Sequence, residues 1–149
     1  MWRRVTALLV LPLSASALSA QINTFLGTWK NVDPNAQGLT TLRIEIVGTN
    51  LKVRAWGKCS PSDCPWGETE GTPYGSDIHA DVPQTARVIS AQFSSKISQT
   101  LLVVHAAQNG RLQADVLKRY TDTSGRANMS ETAVLVRPLP NAPEPKSRT

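Results

Sequence analysis

Strict alternation of apolar and polar residues marks two stretches near the middle of the chain. Thr41-Leu42-Arg43-Ile44-Glu45-Ile46-Val47 and Leu51-Lys52-Val53-Arg54-Ala55-Trp56 both repeat with period two, the signature of a strand with one buried face. Gly48-Thr49 lies between them, and glycine at the first central position suits a type II′ hairpin. That turn predicts the pairs Ile46 with Leu51, Ile44 with Val53 and Leu42 with Ala55, all apolar and all on one face. On the other face Glu45 meets Lys52. Trp56 falls beside Thr41 and points outward, either as an anchor for a partner or under a neighbouring loop.

A second hairpin is signalled by Leu101-Leu102-Val103-Val104-His105-Ala106-Ala107 and Leu112-Gln113-Ala114-Asp115-Val116-Leu117 on either side of Asn109-Gly110, the type I′ dipeptide. Centring the turn there predicts Ala107 opposite Leu112, His105 opposite Ala114, Val103 opposite Val116 and Leu101 opposite Lys118. This face is the more apolar, so it is expected inside, and it carries His105, Lys118 and Tyr120 inward. With Cys59 and Cys64 opposite each other at a further hairpin tip, Trp66 also turns inward, beside Gly57. Further strands are predicted around Thr28–Asn31, Gly67–Thr72, Arg87–Ser94 and Glu131–Arg137, with helical periodicity only over 78–86. About eight short antiparallel strands joined by tight turns predict an all-β, up-and-down barrel, whose interior holds side chains or one small ligand.

The chain ends read differently from its middle. Trp2-Arg3-Arg4 precedes an apolar run from Val5 to Leu13, and Ser14-Ala15-Ser16-Ala17-Leu18-Ser19-Ala20 follows it. This is the three-part pattern of a secretory signal peptide over 1–20, with cleavage expected after Ala20. The run is too short to span a bilayer, and no membrane span is expected elsewhere. Residues 21–137 form the expected barrel domain. Residues 138–149, with Pro138, Pro140, Pro143 and Pro145, read as an extended, disordered tail. Removing Arg3 and Arg4 lowers the net charge by two from +5, and the remaining basic residues form no stripe, which excludes a nucleic-acid partner.

Export decides how the two cysteines are read. Cys59 and Cys64 are the only ones, and in an oxidising compartment, secreted or periplasmic, they predict a disulfide. Ser60-Pro61-Ser62-Asp63 between them suits a turn. Cys-x4-Cys lacks thioredoxin spacing, and two histidines in the whole chain do not complete a zinc site. Asp77, His79 and Asp81 alternate, but Gly71, Pro73, Gly75 and Pro83 surround them, so they read as a solvated loop. No metal and no cofactor is implied.

Phe25-Leu26-Gly27-Thr28-Trp29-Lys30-Asn31 opens the expected mature chain with Gly-x-Trp leading into the first strand. This motif resembles the calycin signature shared by lipocalins and avidins. The resemblance implies that Trp29 closes one barrel end against a basic residue of the last strand, for which Arg137 in Val134-Leu135-Val136-Arg137 is the match. The polar residues with which avidins hold biotin have no counterparts in the chain. The stretches Trp56 to Gly67 and Arg119 to Arg126 are similar to small secreted bacterial domains, a resemblance that implies size and compartment but no activity.

His105, Lys118, Tyr120 and Trp66 are therefore the candidate ligand-binding residues, placed inside the barrel with apolar walls from Leu42, Ile44, Val53 and Val103. The alternative arrangement is a solidly packed interior with Lys118 at the open rim. No acid–base pair, nucleophile motif or metal set points to catalysis. The expectation is an exported, non-enzymatic binding protein, a carrier or sensor of a small amphipathic ligand. The other expectation is a protein-binding module such as a protease inhibitor, with an extracellular protein as partner and Gln21-Ile22-Asn23-Thr24 as its inserted lead.

Overall fold

The computed structural model describes residues 21–140, so the expected signal peptide and most of the proline-rich tail lie outside the described residues. Helix α1 (Ile22–Phe25) precedes strands β1 (Gly27–Asn31), β2 (Leu39–Val47), β3 (Asn50–Gly57) and β4 (Cys64–Tyr74). Helix α2 (Val82–Thr85) leads to β5 (Val88–Ser94), β6 (Ser98–Ala106), β7 (Leu112–Tyr120) and β8 (Met129–Val136). Each strand pairs antiparallel with the next, and β8 returns to β1, so the chain is a closed eight-stranded up-and-down barrel.

The first hairpin has the expected register. Ile46 pairs with Leu51, Ile44 with Val53, Leu42 with Ala55 and Glu45 with Lys52. Gly48 sits at φ 63°, with no positive φ at Thr49, as a type II′ turn requires. Leu42, Ile44, Val53 and Ala55 are fully buried. Trp56 pairs with Thr41; it is only 7% exposed and stands outside the central core cluster, so it is covered rather than presented.

The second hairpin is displaced by one residue from the expected register. Ala106, not Ala107, pairs with Leu112, Val104 pairs with Ala114, and Leu102 with Val116. Asn109 and Gly110 do take the left-handed conformation, at φ 59° and 67°. However, Arg111 alone answers both Ala107 and Gln108: Ala107 N donates to Arg111 O at 2.9 Å, and Arg111 N donates to Gln108 O at 3.4 Å. The extra residue on the β6 side acts as a bulge, and a slip of one residue turns every side chain of a strand to the other face. Leu102 and Val104 are therefore buried at 0% exposure, whereas Leu101 is 41% exposed. β7 keeps its expected orientation, with Leu112, Ala114 and Val116 in the core. His105 and Val103, expected inside, face out.

The two barrel ends differ. One end carries the β2–β3 and β6–β7 turns together with α1 and α2, whose segments are joined by a hydrogen bond from Gln21 N to Gln84 O at 3.2 Å. Phe25 and Trp29 fill this end at 0% and 1% exposure. Trp29 Nε1 donates to Phe25 O at 2.8 Å, so the indole nitrogen is satisfied although buried. The Arg137 guanidinium lies 4.3 Å from the Trp29 ring centroid and donates to Leu26 O at 2.9 Å. The contact expected from the calycin resemblance is present. Gln21–Thr24 does not extend as a free lead, because Ile22 is buried in the core cluster at 8% exposure and an inserting segment would have to unwind from the barrel.

The opposite end carries the β1–β2, β3–β4, β5–β6 and β7–β8 connections. Cys59 and Cys64 are joined there by a disulfide with Cα atoms 5.5 Å apart. Near this end the wall between β4 and β5 parts. Their paired residues run from Tyr74 and Val88 only to Gly71 and Ala91, although β4 continues to Cys64 and β5 to Ser94. At the last pair, a Cβ on Gly71 would stand 2.8 Å from Val53, 3.0 Å from Leu51 and 3.3 Å from Ile89, so the residue there has to be small.

Candidate functional site

The parted wall opens onto a cleft of about 160 Å³ lined by Pro65, Trp66, Phe93, Ser94, Ser95, Ser98, Thr100 and Lys118. Trp66 is there because β4 shifts register between its pairing of Pro65 with Trp56 and its pairing of Gly67 with Ala55. One residue against none on β3 makes Trp66 the bulged position, and a bulge re-aims its side chain. Gly57 makes room, since a Cβ at that position would stand 2.6 Å from Trp66 Nε1. The indole packs against the core and meets Phe93 edge to face, with ring centroids 5.8 Å apart and planes at 77°, a favoured aromatic geometry.

Lys118 enters from β7 opposite Thr100. Its Nζ lies 5.3 Å from the Trp66 ring centroid, within cation–π range. Among the described residues Lys118 forms no ion pair, and the eight residues lining the cleft include no carboxylate. Two acidic groups at this barrel end have other partners. Glu131, paired with Val116 on the inward face, accepts Leu39 N at 2.6 Å. Asp63 of the disulfide loop accepts the Thr40 hydroxyl at 2.6 Å.

Of the four expected ligand residues, Trp66 and Lys118 come together, while Tyr120 and His105 do not join them. Tyr120 is at the same barrel end but is covered by the β7–β8 loop, with the Arg126 guanidinium 4.1 Å from its ring centroid and its backbone N donating to Asn128 Oδ1 at 3.2 Å. In that loop Arg126 is tied to Asp122, whose carboxyl also accepts the Ser124 hydroxyl at 2.7 Å. The Ser124 bond, and after it the bond and charge of Arg126, hold the Asp122 carboxyl below its ordinary pKa. His105 lies on the outer wall, with Nε2 3.5 Å from Asp115 Oδ2. It is five residues along β6 from Thr100, roughly 17 Å at the rise of a strand. The slipped hairpin register accounts for both its exposure and its distance.

Phe93, Thr100 and the serines of the β5–β6 turn were not anticipated. The period-two series Ile89, Ala91, Phe93 in the expected fifth strand does carry the signal that places Phe93 inside. Thr100 emerges only once β6 is set in its true register, where it is 4% exposed. The Asp77-Ile78-His79-Ala80-Asp81 stretch is a local turn. Asp77 accepts His79 N and the Ser76 hydroxyl, both at 2.9 Å. These bonds, that from His79 first, lower the Asp77 pKa.

Together these features define a disulfide-stapled, closed antiparallel barrel, consistent with a calycin-like fold, having one end sealed by Trp29 and a cleft at the other. Comparisons with family models, with curated proteins and with solved structures return no match to the chain.

Proposed function

We propose that the chain is an exported, non-enzymatic binding protein on a calycin-like barrel, which takes a small amphipathic ligand in the cleft of the disulfide end. The observation that carries this reading is Lys118, held without an acidic partner over the Trp66 ring at the mouth of an aromatic cleft. A few convergent polar groups beside apolar walls are what a small-molecule site needs. Export is supported by the leader pattern before Gln21 and by the Cys59–Cys64 disulfide, which persists in a secreted or periplasmic setting.

The barrel interior itself is not the ligand chamber in this reading. Leu42, Ile44, Val53, Leu102 and Val104 fill it at 0% exposure, so a ligand sits at the rim. Calorimetric titration with single-ring amphiphiles small enough for the cleft, namely benzyl alcohol, benzylamine and benzoate, tests the proposal. Saturable binding of at least one is expected for the oxidised protein and is lost in a folded Trp66→Ala variant. Absence of saturable binding by the unaltered protein would reject the cleft as a ligand site.

A further inference from the structure

We infer that the cleft selects a single-ring aromatic acid, its ring against Trp66 and Phe93 and its carboxylate against Lys118; this rests on the cleft being a binding site. Size is the first argument. The cleft measures about 160 Å³, close to the ~150 Å³ apolar cavity that accommodates one benzene and well under the ~300 Å³ at which sites for drug-sized ligands begin. A long acyl chain cannot continue into the barrel, because the interior is occupied by Leu42, Val53 and Leu102, each at 0% exposure.

The walls argue for a ring rather than a compact aliphatic group. Trp66 and Phe93 already stand edge to face at 5.8 Å, and a third ring beside them extends the same arrangement at the centroid spacings aromatic groups favour. Pro65 closes that side of the cleft with a further apolar surface.

Charge then fixes the sign of the polar end. The lining supplies one cation, Lys118, and the hydroxyls of Ser94, Ser95, Ser98 and Thr100, with no carboxylate to oppose an anion. Glu131 and Asp63, two acidic groups at the same barrel end, accept hydrogen bonds from Leu39 N and the Thr40 hydroxyl. A carboxylate completes the environment of Lys118 with a charge-assisted bond, whereas a cationic ligand meets repulsion and an uncharged one leaves the ammonium to water.

Calorimetric titration of the oxidised full chain with benzoate, benzyl alcohol and acetate separates ring from charge. Benzoate is expected to bind roughly tenfold to a hundredfold more tightly than benzyl alcohol, the range that one hydrogen bond to a charged group supplies, and acetate not measurably at the same concentrations. Lys118→Gln brings the benzoate affinity down to that of benzyl alcohol measured on the same variant, and Lys118→Arg restores the advantage in part; near-ultraviolet circular dichroism checks that both variants keep the native packing. Equal affinity for benzoate and benzyl alcohol, or benzoate binding indifferent to Lys118→Gln, overturns the inference. If a single-ring amphiphile binds in a Trp66-dependent manner while benzoate shows no preference, the cleft stands and the aromatic-acid assignment falls. If none binds, both fall.

Discussion

Arg137 lies over the indole of Trp29 at 4.3 Å and reaches past it to the carbonyl of Leu26, so the last strand locks the segment that leads into the first. Trp29 is 1% exposed, and truncating so large a buried ring leaves a cavity as well as losing its burial. Trp29→Ala is expected to lower stability by about 3–5 kcal/mol. A double-mutant cycle with Arg137→Ala should return a coupling of about 0.5–1 kcal/mol, typical of a cation–π pair near the surface. Urea denaturation of the four proteins measures both values.

The register of β6 predicts a contrast between neighbours. Leu102, at 0% exposure, should cost about 2–5 kcal/mol when replaced by alanine. Leu101, at 41% exposure, should cost under about 1 kcal/mol. His105→Ala breaks only a surface contact with Asp115, and the expected loss is again below about 1 kcal/mol. If Leu101→Ala proves the more damaging leucine substitution by chemical denaturation, the hairpin pairs as its turn dipeptide alone suggests.

The Cys59–Cys64 bond closes a small loop, with a sequence separation of 5. Replacing both cysteines by alanine should cost on the order of 2 kcal/mol, the entropic value for so short a loop. Alkylation of exported protein, unfolded without reductant, should label neither cysteine. Labelling of both would show that the bridge does not form.

Asp122 supplies a pH dependence of definite sign. Its folded pKa is lowered, chiefly by the Ser124 hydroxyl and then by Arg126. Its contribution to stability is therefore present above the unfolded carboxyl value of about 3.9 and is lost as pH falls through the lower folded value. Asp122→Asn should lower the melting temperature at neutral pH and flatten its decline in acid. An acid limb unchanged in this variant would show that the loop is not held by that carboxylate.

Why the sequence revealed one hairpin and misplaced the other follows from their side chains. Leu42 to Val47 alternates cleanly between apolar and polar residues, so pattern and turn chemistry agree. Leu101-Leu102-Val103-Val104 is apolar on both faces, and the pattern alone does not choose between them. The turn dipeptide then decided the register, although Ala107 and Gln108 add a residue that has no composition signal of its own. The placement of His105 failed with that register. Lys118 sits on β7, whose orientation the alternation does specify; Trp66 meets it through the bulge in β4, which the pattern of its strand does not signal. Phe93 is legible in its strand but gains a role only where the β4–β5 pairing stops beyond Gly71 and Ala91, a break between strands that the alternation within either strand does not show.

Closure of the barrel also has a kinetic side. β1 meets β8 through Lys30 with Val136 and Asn31 with Leu135, and Leu39 N reaches Glu131 across 92 residues of chain. Contacts between the two ends of a chain carry the largest loop-closure entropy, and topologies rich in them fold slowly. A polypeptide delivered from its N-terminus cannot pair β8 with β1 or seat Arg137 over Trp29 until residue 137 has emerged. The sealed end and the completed wall therefore arrive together, only after nearly the whole chain has been delivered.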